Sequence, residues 1–224
     1  MSDVVDMKGD WNRRARERPE KYIAGFHDAS EAEFRESGRR DVSIFFGGIE
    51  QLLSEGRDVV DIGCGIGRMD EFLAPRVRSL IGVDVSGEMV ARARERLAHL
   101  PNLSFVEGDG SSLPLPDDSA DLVFSHVVFQ HVPRRLVPRY FAEALRVLRP
   151  GGSFVFQLPQ RGARTPSDAP DRDTYTMRFW DIDDVEARLR ELGFELRPRE
   201  SAEVGLPGER FLSLRFHAVK SAAR

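Results

Sequence analysis

Short apolar runs rich in β-branched residues alternate along this chain with longer stretches whose hydrophobic positions recur at the helical period. The short runs predict buried strands, and the periodic stretches predict amphipathic helices. Seven strands are predicted, over Val59–Ile62, Leu80–Asp84, Leu103–Glu107, Ala120–Ser125, Ser153–Leu158, Phe194–Arg199 and Phe211–Val219. Helices are predicted over Glu31–Ser54, from Met69 onward, and over Glu88–His99, Leu136–Leu148 and Asp181–Leu192.

The alternation of strands and helices predicts βαβ units, and therefore an α/β fold with a parallel sheet and right-handed crossovers. The last two strands have no helix between them, which predicts an antiparallel edge. Local signals mark helix ends, with Ser86 placed as an N-cap and Gly193 and Pro150-Gly151-Gly152 placed as stops. The polar stretch 159–179 has no clear periodicity and predicts a long loop.

The first predicted strand runs into a turn with glycine at three alternate positions, Gly63, Gly65 and Gly67. Residues without a Cβ let the backbone turn sharply and approach a ligand closely. The spacing is G-x-G-x-G, whereas the dinucleotide fingerprint is G-x-G-x-x-G, and Arg68 stands where its third glycine would be. Asp61, within the strand, would repel a diphosphate but could receive an ammonium group. The turn therefore favours a nucleoside that carries an amino acid over a dinucleotide.

Acidic residues follow the next two strands. Asp84 ends the second strand, and an acid about 20 residues beyond a glycine turn is placed to hold ribose hydroxyls. Asp109, between two glycines, could accept a hydrogen bond from an exocyclic amine such as that of adenine. Ligands of open α/β sheets bind beyond the carboxyl ends of the strands. The residues expected to converge there are Asp61, Gly63, Asp84, Asp109, Ser125, His126 and Gln157.

Composition and charge exclude several classes of function. The 224 residues fit one domain, or one domain with a small cap, and the net charge of −4 gives no general attraction for nucleic acid. The single cysteine, Cys64, excludes an internal disulfide and a cysteine-based zinc cluster. No apolar run approaches the roughly 20 residues of a membrane span, and the charged N-terminus lacks a signal-peptide core. We expect a cytoplasmic monomer or homodimer without a metal site.

Five motifs follow one another between about Arg57 and Leu158: Val-Val-Asp-Ile-Gly-Cys-Gly-Ile-Gly-Arg, Ile-Gly-Val-Asp-Val-Ser, Glu-Gly-Asp-Gly, Asp-Leu-Val-Phe-Ser and Arg-Val-Leu-Arg-Pro-Gly-Gly. As a set they resemble a class I S-adenosylmethionine-dependent methyltransferase. The resemblance implies a Rossmann-like, seven-stranded, mostly parallel sheet with helices on both faces and an antiparallel last strand. We expect residues 1–50 to form an N-terminal helical cap and residues 51–224 to form the methyltransferase core, with a loop excursion at 159–179.

The resemblance also implies S-adenosylmethionine as the cofactor. It places Asp61, Gly63 and Gly65 around the methionine moiety, Asp84 on the ribose and Asp109 beside the adenine, with Met89 and Ser111 as further adenine-pocket candidates. The full predicted cofactor-binding set is Asp61, Gly63, Cys64, Gly65, Gly67, Asp84, Val85, Met89, Gly108, Asp109, Gly110, Ser111 and Ser125.

Methyl transfer to a hydroxyl or ammonium acceptor requires the loss of a proton, and imidazole is suited to accept it. His131 and His126, after the fourth strand, are the candidate catalytic bases, with packing or hydrogen bonding as the alternative for each. Gln157 is a candidate for orienting the acceptor. Trp11 and Tyr22 either line a substrate lid or pack the N-terminal segment onto the core.

Missing motifs narrow the range of acceptors. No Asn/Asp-Pro-Pro-Tyr sequence follows the fourth strand, although this sequence usually accompanies methylation of an exocyclic amine on a nucleobase or a glutamine. Methylation of a pyrimidine carbon uses a catalytic thiolate, but the only cysteine lies in the glycine turn. We therefore expect a small-molecule acceptor, methylated on oxygen, nitrogen or carbon, and no nucleic-acid or membrane partner. Two alternatives stay open: a protein or RNA acceptor, and a cofactor-binding scaffold or cyclase that has lost methyl transfer. The glycine spacing disfavours a dehydrogenase.

Overall fold

The computed structural model describes residues 6–25, 30–162, 173–204 and 211–222 of the chain. The chain divides into two compact units, one spanning Asp6–Gly110 and the other Ser111–Arg224. Strands and helices alternate along both units, which confirms the predicted α/β class. No helix in this described part of the chain has both the length and the apolar character needed to cross a bilayer.

The first unit places three strands beside one another. Its strands are β1 (Asp58–Ile62), β2 (Ser79–Asp84) and β3 (Leu103–Glu107), and its helices are α1 (Met7–Glu17), α2 (Pro19–Ala24), α3 (Glu31–Phe45), α4 (Asp70–Leu73) and α5 (Gly87–Arg96). The strands are parallel, in the order β3-β2-β1. Their register pairs Ile62 with Val83 and Asp84 with Glu107, so their carboxyl ends lie along one edge.

The second unit combines a parallel strand pair with antiparallel ones. Its strands are β4 (Ala120–Ser125), β5 (Leu148–Pro159), β6 (Phe194–Leu196), β7 (Glu200–Val204) and β8 (Phe211–Lys220), and its helices are α6 (Val137–Val147) and α7 (Ile182–Leu192). β4 and β5 are parallel. β8 runs antiparallel to β5, β6 and β7, which confirms the antiparallel edge predicted for the end of the chain.

Local capping marks several helix ends. The Ser86 hydroxyl accepts a hydrogen bond from the Met89 N–H, which confirms the predicted N-cap of α5. Gly193 ends α7 in the left-handed conformation, as predicted. α3 ends at Phe45, so the helix predicted over Glu31–Ser54 is too long.

One other helix prediction was wrong in extent. The helix predicted from Met69 is a single turn over Asp70–Leu73, and a 3-10 turn follows over Ala74–Arg76. Pro75, inside that 3-10 turn, cannot continue α-helical hydrogen bonding. The helix predicted over Leu136–Leu148 is confirmed to within one residue at each end by α6, but the stop predicted at Pro150-Gly151-Gly152 lies inside β5, which begins directly after that helix.

The described residues contain eight strands, one more than predicted. The additional strand, β7, has the sequence Glu-Ser-Ala-Glu-Val and pairs with β8. Its residues are exposed or partly exposed, so it carries no alternation of apolar and polar positions that could have revealed it. Of the predicted 159–179 loop, residues 163–172 lie outside the described residues.

Aromatic packing forms the core of the second unit. Phe129 is fully buried, and its ring centroid lies 5.7 Å from those of Phe141 and Phe156. Phe156 also stacks on Phe216 of β8, with 4.9 Å between the centroids. Ring contacts of this kind add to the hydrophobic stabilisation from burial. Because Phe129 lies two residues before His131, this core also anchors the turn that carries the candidate base.

We predict that Phe129→Ala lowers the free energy of unfolding by about 3–5 kcal/mol, because it empties a fully buried aromatic site. Urea denaturation followed by far-UV circular dichroism measures the change. Leu212→Ala is the control, since this side chain is 44% exposed, and it should change stability by less than about 0.5 kcal/mol. Equal stability of the two variants would contradict the proposed core.

Candidate functional site

The turn between β1 and α4 uses backbone conformations that favour glycine. Gly63, Gly65 and Gly67 have φ angles of 82°, 56° and 75°, all in the left-handed region. A Cβ on Gly67 would also lie 2.5 Å from Leu97 Cδ1 and 3.0 Å from Phe105 Cζ. The glycines predicted for cofactor binding are therefore required by the turn itself, and the third packs closely against β3.

Asp84 joins the glycine turn to the ends of β2 and β3. Its carboxylate accepts hydrogen bonds from the Gly65 N–H at 2.9 Å and the Ser86 N–H at 2.8 Å, and its carbonyl oxygen accepts one from the Gly108 N–H at 2.8 Å. Burial raises the pKa of Asp84, and the two N–H donors oppose that rise. Each carboxylate oxygen has a further lone pair, which can accept a hydrogen bond from a ribose hydroxyl.

A buried pair of carboxyl groups adjoins the glycine turn. Asp61 on β1 is 5% exposed, and Asp70 on α4 is fully buried with neither carboxylate oxygen hydrogen-bonded within the described residues. Burial raises the pKa of both acids, to about 7 for Asp70, and the charges of Asp70 and Asp84 also raise that of Asp61. Asp70 is therefore protonated at a pH where an exposed aspartate is ionised.

Two arginines act on this pair, but each has a carboxylate partner of its own. Arg68 favours the ionised form of Asp61 and forms an ion pair with Asp41 at 2.8 Å. Arg96 favours the ionised form of the partner acid and forms an ion pair with Glu71 at 2.6 Å. Among the described residues, the acid pair thus has no ion pair with a cation. These carboxyls fit a ligand that brings an ammonium group, as S-adenosylmethionine does.

Helices α1 and α2 cover the glycine turn and the loop after β3. Ile23 of α2 lies against Gly65, where an added Cβ would come within 2.9 Å of Ile23 Cδ1. Met7 of α1 lies against Gly110 in the same way, since a Cβ added to Gly110 would come within 2.9 Å of Met7 Cε. Both glycines belong to the predicted cofactor-binding set, so this cover lies directly on the candidate site.

Hydrogen bonds and an ion pair connect α1 to α5 and β3. The Asn12 side-chain oxygen accepts hydrogen bonds from the Ser86 hydroxyl at 2.7 Å and from the Glu88 N–H at 3.2 Å. Lys8 forms an ion pair with Glu107 at the end of β3. Asn12 thus adds to the N-cap of α5 from a helix more than 70 residues earlier in the chain.

The two aromatic residues predicted to contact the acceptor are held by contacts around α1 and α2. Trp11 packs against a buried cluster, and the Arg14 guanidinium carbon lies 4.9 Å from its ring centroid. The Tyr22 hydroxyl donates a hydrogen bond to Glu17 at 2.7 Å. Both rings are partly exposed. A role in acceptor binding stays a prediction for each.

The remaining predicted cofactor residues of the first unit differ in whether their side chains are buried or exposed. Cys64 and Met89 bury their side chains in hydrophobic clusters, and burial raises the pKa of the Cys64 thiol well above its usual value. Asp109 is exposed, as its proposed contact with adenine requires. A Cβ added to Gly110 would lie 3.2 Å from Val85 Cγ2, and the φ angle of Gly110 is 84°.

The candidate residues Ser111, Ser125, His126 and Gln157 belong to the second unit. Ser125 is buried at the end of β4, and the strand register places it opposite Phe156, one residue before Gln157. The Gln157 amide donates a hydrogen bond to the Ser213 hydroxyl on β8. The residue after His126 is Val127, whose φ is 59°. This conformation is strained for a β-branched residue, by about 1–3 kcal/mol, and such strain is concentrated at functional sites.

His131 is held by residues from two segments of the second unit. Its ring stacks on Tyr175 with 6.1 Å between centroids, and its Nε2 lies 3.2 Å from the Gln130 amide nitrogen. The fully buried Arg178 donates a side-chain hydrogen bond to the His131 carbonyl at 3.2 Å and a backbone one to the Gln130 carbonyl at 2.8 Å. The imidazole is thus fixed on two sides, as a positioned base requires.

Sequence reasoning missed Asp70, Asn12, Tyr175 and Arg178. Asn12, Tyr175 and Arg178 act through contacts with residues far along the chain, and no local pattern marks such a contact. For Asp70, the possible signal of a functional role was an acidic residue directly after the buried apolar residue Met69. Among the described residues, no group of three or more His, Cys, Asp or Glu side chains could hold a metal ion.

Comparison with known proteins identifies relatives of this chain. Residues 60–156 match a family described as a methyltransferase domain. A Mycolicibacterium smegmatis protein described as a probable S-adenosylmethionine-dependent methyltransferase is 33% identical over 141 residues, covering 63% of this chain and 53% of that protein. A Halobacterium salinarum arsenite methyltransferase is 35% identical over 153 residues, covering 64% and 38%. This chain therefore spans about half or less of the length of these relatives.

A chain in the solved complex of the Haloferax volcanii Trm112 methyltransferase activator has a similar fold. The TM-score is 0.71 at 21% identity, covering 98% of this chain and 100% of that chain. At this level of sequence identity, the match shows only that the two folds are similar. Together these matches confirm the resemblance seen in the motifs, the Rossmann-like fold and S-adenosylmethionine as the cofactor.

We predict that Asp84→Ala weakens binding of S-adenosylhomocysteine by about 1–3 kcal/mol, or about 5–150-fold, because it removes acceptors for the ribose hydroxyls and the tie to Gly65. Isothermal titration calorimetry measures the change. The control is Asp184→Ala, which removes an exposed acid on α7. Unchanged affinity in Asp84→Ala would show that the ribose lies elsewhere.

Proposed function

We propose that this chain, which belongs to the class I S-adenosylmethionine-dependent methyltransferases, transfers a methyl group to oxygen, nitrogen or carbon of a small-molecule acceptor. The proposal of a small acceptor rests on the cover over the glycine turn, where Ile23 lies against Gly65 and Met7 lies against Gly110. A site covered by the chain's own N-terminal helices suits a small acceptor better than a macromolecule. The name of the arsenite methyltransferase among the relatives agrees with this choice.

In this proposal, the first unit holds the cofactor through three sets of acids. Asp84 accepts hydrogen bonds from the ribose hydroxyls, Asp109 accepts one from the adenine amine, and the Asp61–Asp70 pair receives the ammonium group. When bound, S-adenosylmethionine supplies an electrophilic methyl group on a sulfonium centre. The protein then contributes mainly alignment, because in-line displacement needs the acceptor atom held opposite the leaving sulfur.

His131 is the proposed general base for acceptors that must lose a proton. The Gln130 amide nitrogen lies 3.2 Å from its Nε2, and stacking on Tyr175 fixes the ring plane. His126 is the second candidate, and the strained Val127 beside it indicates a constraint at this end of β4. Ser125 and Gln157 are proposed to contact the cofactor and the acceptor, respectively.

Size fractionation of the acceptors tests the proposal. The full chain is incubated with S-adenosylmethionine labelled on the methyl group, together with cell extract separated into small-molecule, protein and RNA fractions. We expect labelled product, and formation of S-adenosylhomocysteine, from the small-molecule fraction. Label in protein or RNA would replace the proposal with a macromolecular acceptor. Cofactor binding without turnover in any fraction would favour the scaffold or cyclase alternative. The cytoplasmic location and the monomeric or homodimeric state stay predictions.

We predict that His131→Ala lowers the methyl-transfer rate by about 10²–10⁴-fold, the range typical for loss of a general base, with little change in cofactor affinity. Single-turnover kinetics with an acceptor found by fractionation measures the rate. His99→Ala is the control, because His99 is exposed after α5 and should leave the rate unchanged. A fully active His131→Ala would remove this residue from the mechanism, and His126→Ala would then be compared in the same way.

A further inference from the structure

Arg68 directly follows the glycine turn, and its side chain contacts α3 within the same compact unit. We infer that Arg68 is a positioning residue for the cofactor: it fixes the glycine turn against α3 in the conformation that the cofactor binds, so that α3 forms part of the cofactor site. The inference rests on the cofactor site proposed above and is independent of the acceptor. It adds to that site a residue and a helix that lie outside the predicted cofactor-binding set.

The first support is the polar contact between Arg68 and α3. The Arg68 side chain is 6% exposed, and its Nη1 lies 2.8 Å from Asp41 Oδ2 and donates a hydrogen bond to the Ser37 hydroxyl at 3.1 Å. That hydroxyl in turn donates to the Phe34 carbonyl at 2.7 Å. The loss of a partner is costly for a charge this deeply buried. The ion pair therefore holds the end of the glycine turn to one position on α3.

The second support is the closeness of the two backbones. Gly38 lies in the middle of α3, where glycine is less favourable than alanine. A Cβ at this position would lie 2.3 Å from the Arg68 carbonyl oxygen and 3.0 Å from Arg68 Cγ. The helix backbone thus packs directly on the backbone that follows the glycine turn, and a larger residue would have to displace one of them. This contact explains why the interior of the helix contains a glycine.

The third support is that α3 is also linked to the two preceding residues of the turn. Phe34 is fully buried in a cluster that includes Ile66 of the turn. The Gly67 carbonyl accepts a hydrogen bond from Arg96 Nη1 at 3.4 Å, and Arg96 also forms an ion pair with Glu31 of α3 at 3.2 Å. Three successive positions of the turn are therefore held, directly or through one arginine, by the same helix.

These contacts matter for the cofactor because the turn contains left-handed conformations at Gly65 and Gly67. Glycine can leave such a conformation at little cost, so the turn alone does not fix it. A ligand that binds only one conformation loses affinity in proportion to the fraction of molecules that adopt another. Because the contacts with α3 keep that fraction small, their loss should weaken cofactor binding even in a fully folded protein.

Isothermal titration calorimetry of S-adenosylhomocysteine with the full chain tests this inference, at a temperature where circular dichroism shows each variant folded. Arg68→Met removes the charge and both polar contacts, and we expect it to weaken binding at least about fivefold. Arg68→Lys should retain most of the affinity, because one nitrogen makes the contacts with Ser37 and Asp41 and a lysine ammonium can replace it. The matched control is Arg39→Met, which removes an exposed arginine of α3 paired with Glu36 and should bind as the wild type.

The close approach of the backbones supplies a second variant. Gly38→Ala should also weaken binding, because the added methyl group displaces the Arg68 backbone while every charge and hydrogen-bonding group is kept. Gly56→Ala is its control, since a Cβ there would meet nothing within 4 Å. A purely structural role of these contacts would lower the melting temperature of the variants and leave the affinity of the folded molecules unchanged.

Hydrogen exchange of the wild type decides the matter if the variants do not fold. Coupling between two sites is reciprocal, so a ligand that requires the fixed turn should also slow amide exchange in α3. Mass spectrometry of peptides from residues 31–45, with and without S-adenosylhomocysteine, measures this effect. Unchanged affinity in both variants or, where they do not fold, unchanged exchange in α3 overturns the inference and leaves the cofactor site standing. A wild type that binds no S-adenosylhomocysteine overturns the site, and the inference with it.

Discussion

The structure of the cofactor site depends on the hydrogen bonds that the Asp84 carboxylate accepts from the N–H groups of Gly65 and Ser86. Charge-assisted hydrogen bonds of this kind are about twice as strong as neutral ones. They fix the glycine turn to the end of β2 and align the start of α5, while the Asp84 carbonyl holds Gly108 after β3. One residue therefore sets the relative positions of the three loops that carry the predicted cofactor residues, and its carboxylate can still accept further hydrogen bonds.

The arrangement of buried charges explains why this turn suits a sulfonium nucleoside and not a dinucleotide. The arginines near the turn are matched by Asp41 and Glu71, so they offer little attraction to a diphosphate. The carboxyls of Asp61 and Asp70 would repel a diphosphate and attract an ammonium group. The glycine spacing and the buried acids therefore favour the same class of ligand, through backbone geometry in one case and electrostatics in the other.

Features imposed by the backbone could be predicted from the sequence. The strands of the first unit begin and end within about one residue of their predicted bounds, and the three glycines have the conformations that their spacing implied. Asp84 was found from its distance to the turn, and Ser86 from its capping position. These predictions succeeded because a left-handed φ, a buried strand or a helix cap restricts the residue at its own position.

Features that depend on long-range contacts could not be predicted. Arg178 contacts the His131 carbonyl from 47 residues further along the chain, and nothing in its local sequence marks that contact. None of the residues of β7 is buried, so its pairing with β8 leaves no hydrophobic pattern in the sequence. The same reason makes the acceptor harder to predict than the cofactor, since acceptor contacts come from side chains that the fold brings together and not from a backbone motif.

The contacts of α1 also limit where acceptor selectivity can reside. Asn12 shares Ser86 with the Asp84 network, and Met7 lies against Gly110, so substitutions on the buried side of α1 disturb the cofactor site. The segments around His131 and Tyr175 are held by contacts within the second unit, separately from that network. Changes there can alter the surface offered to an acceptor while the Asp84 hydrogen bonds stay intact. We therefore expect selectivity to be set mainly by these second-unit segments, with α1 and α2 acting as a cover whose inner surface is fixed by the cofactor site.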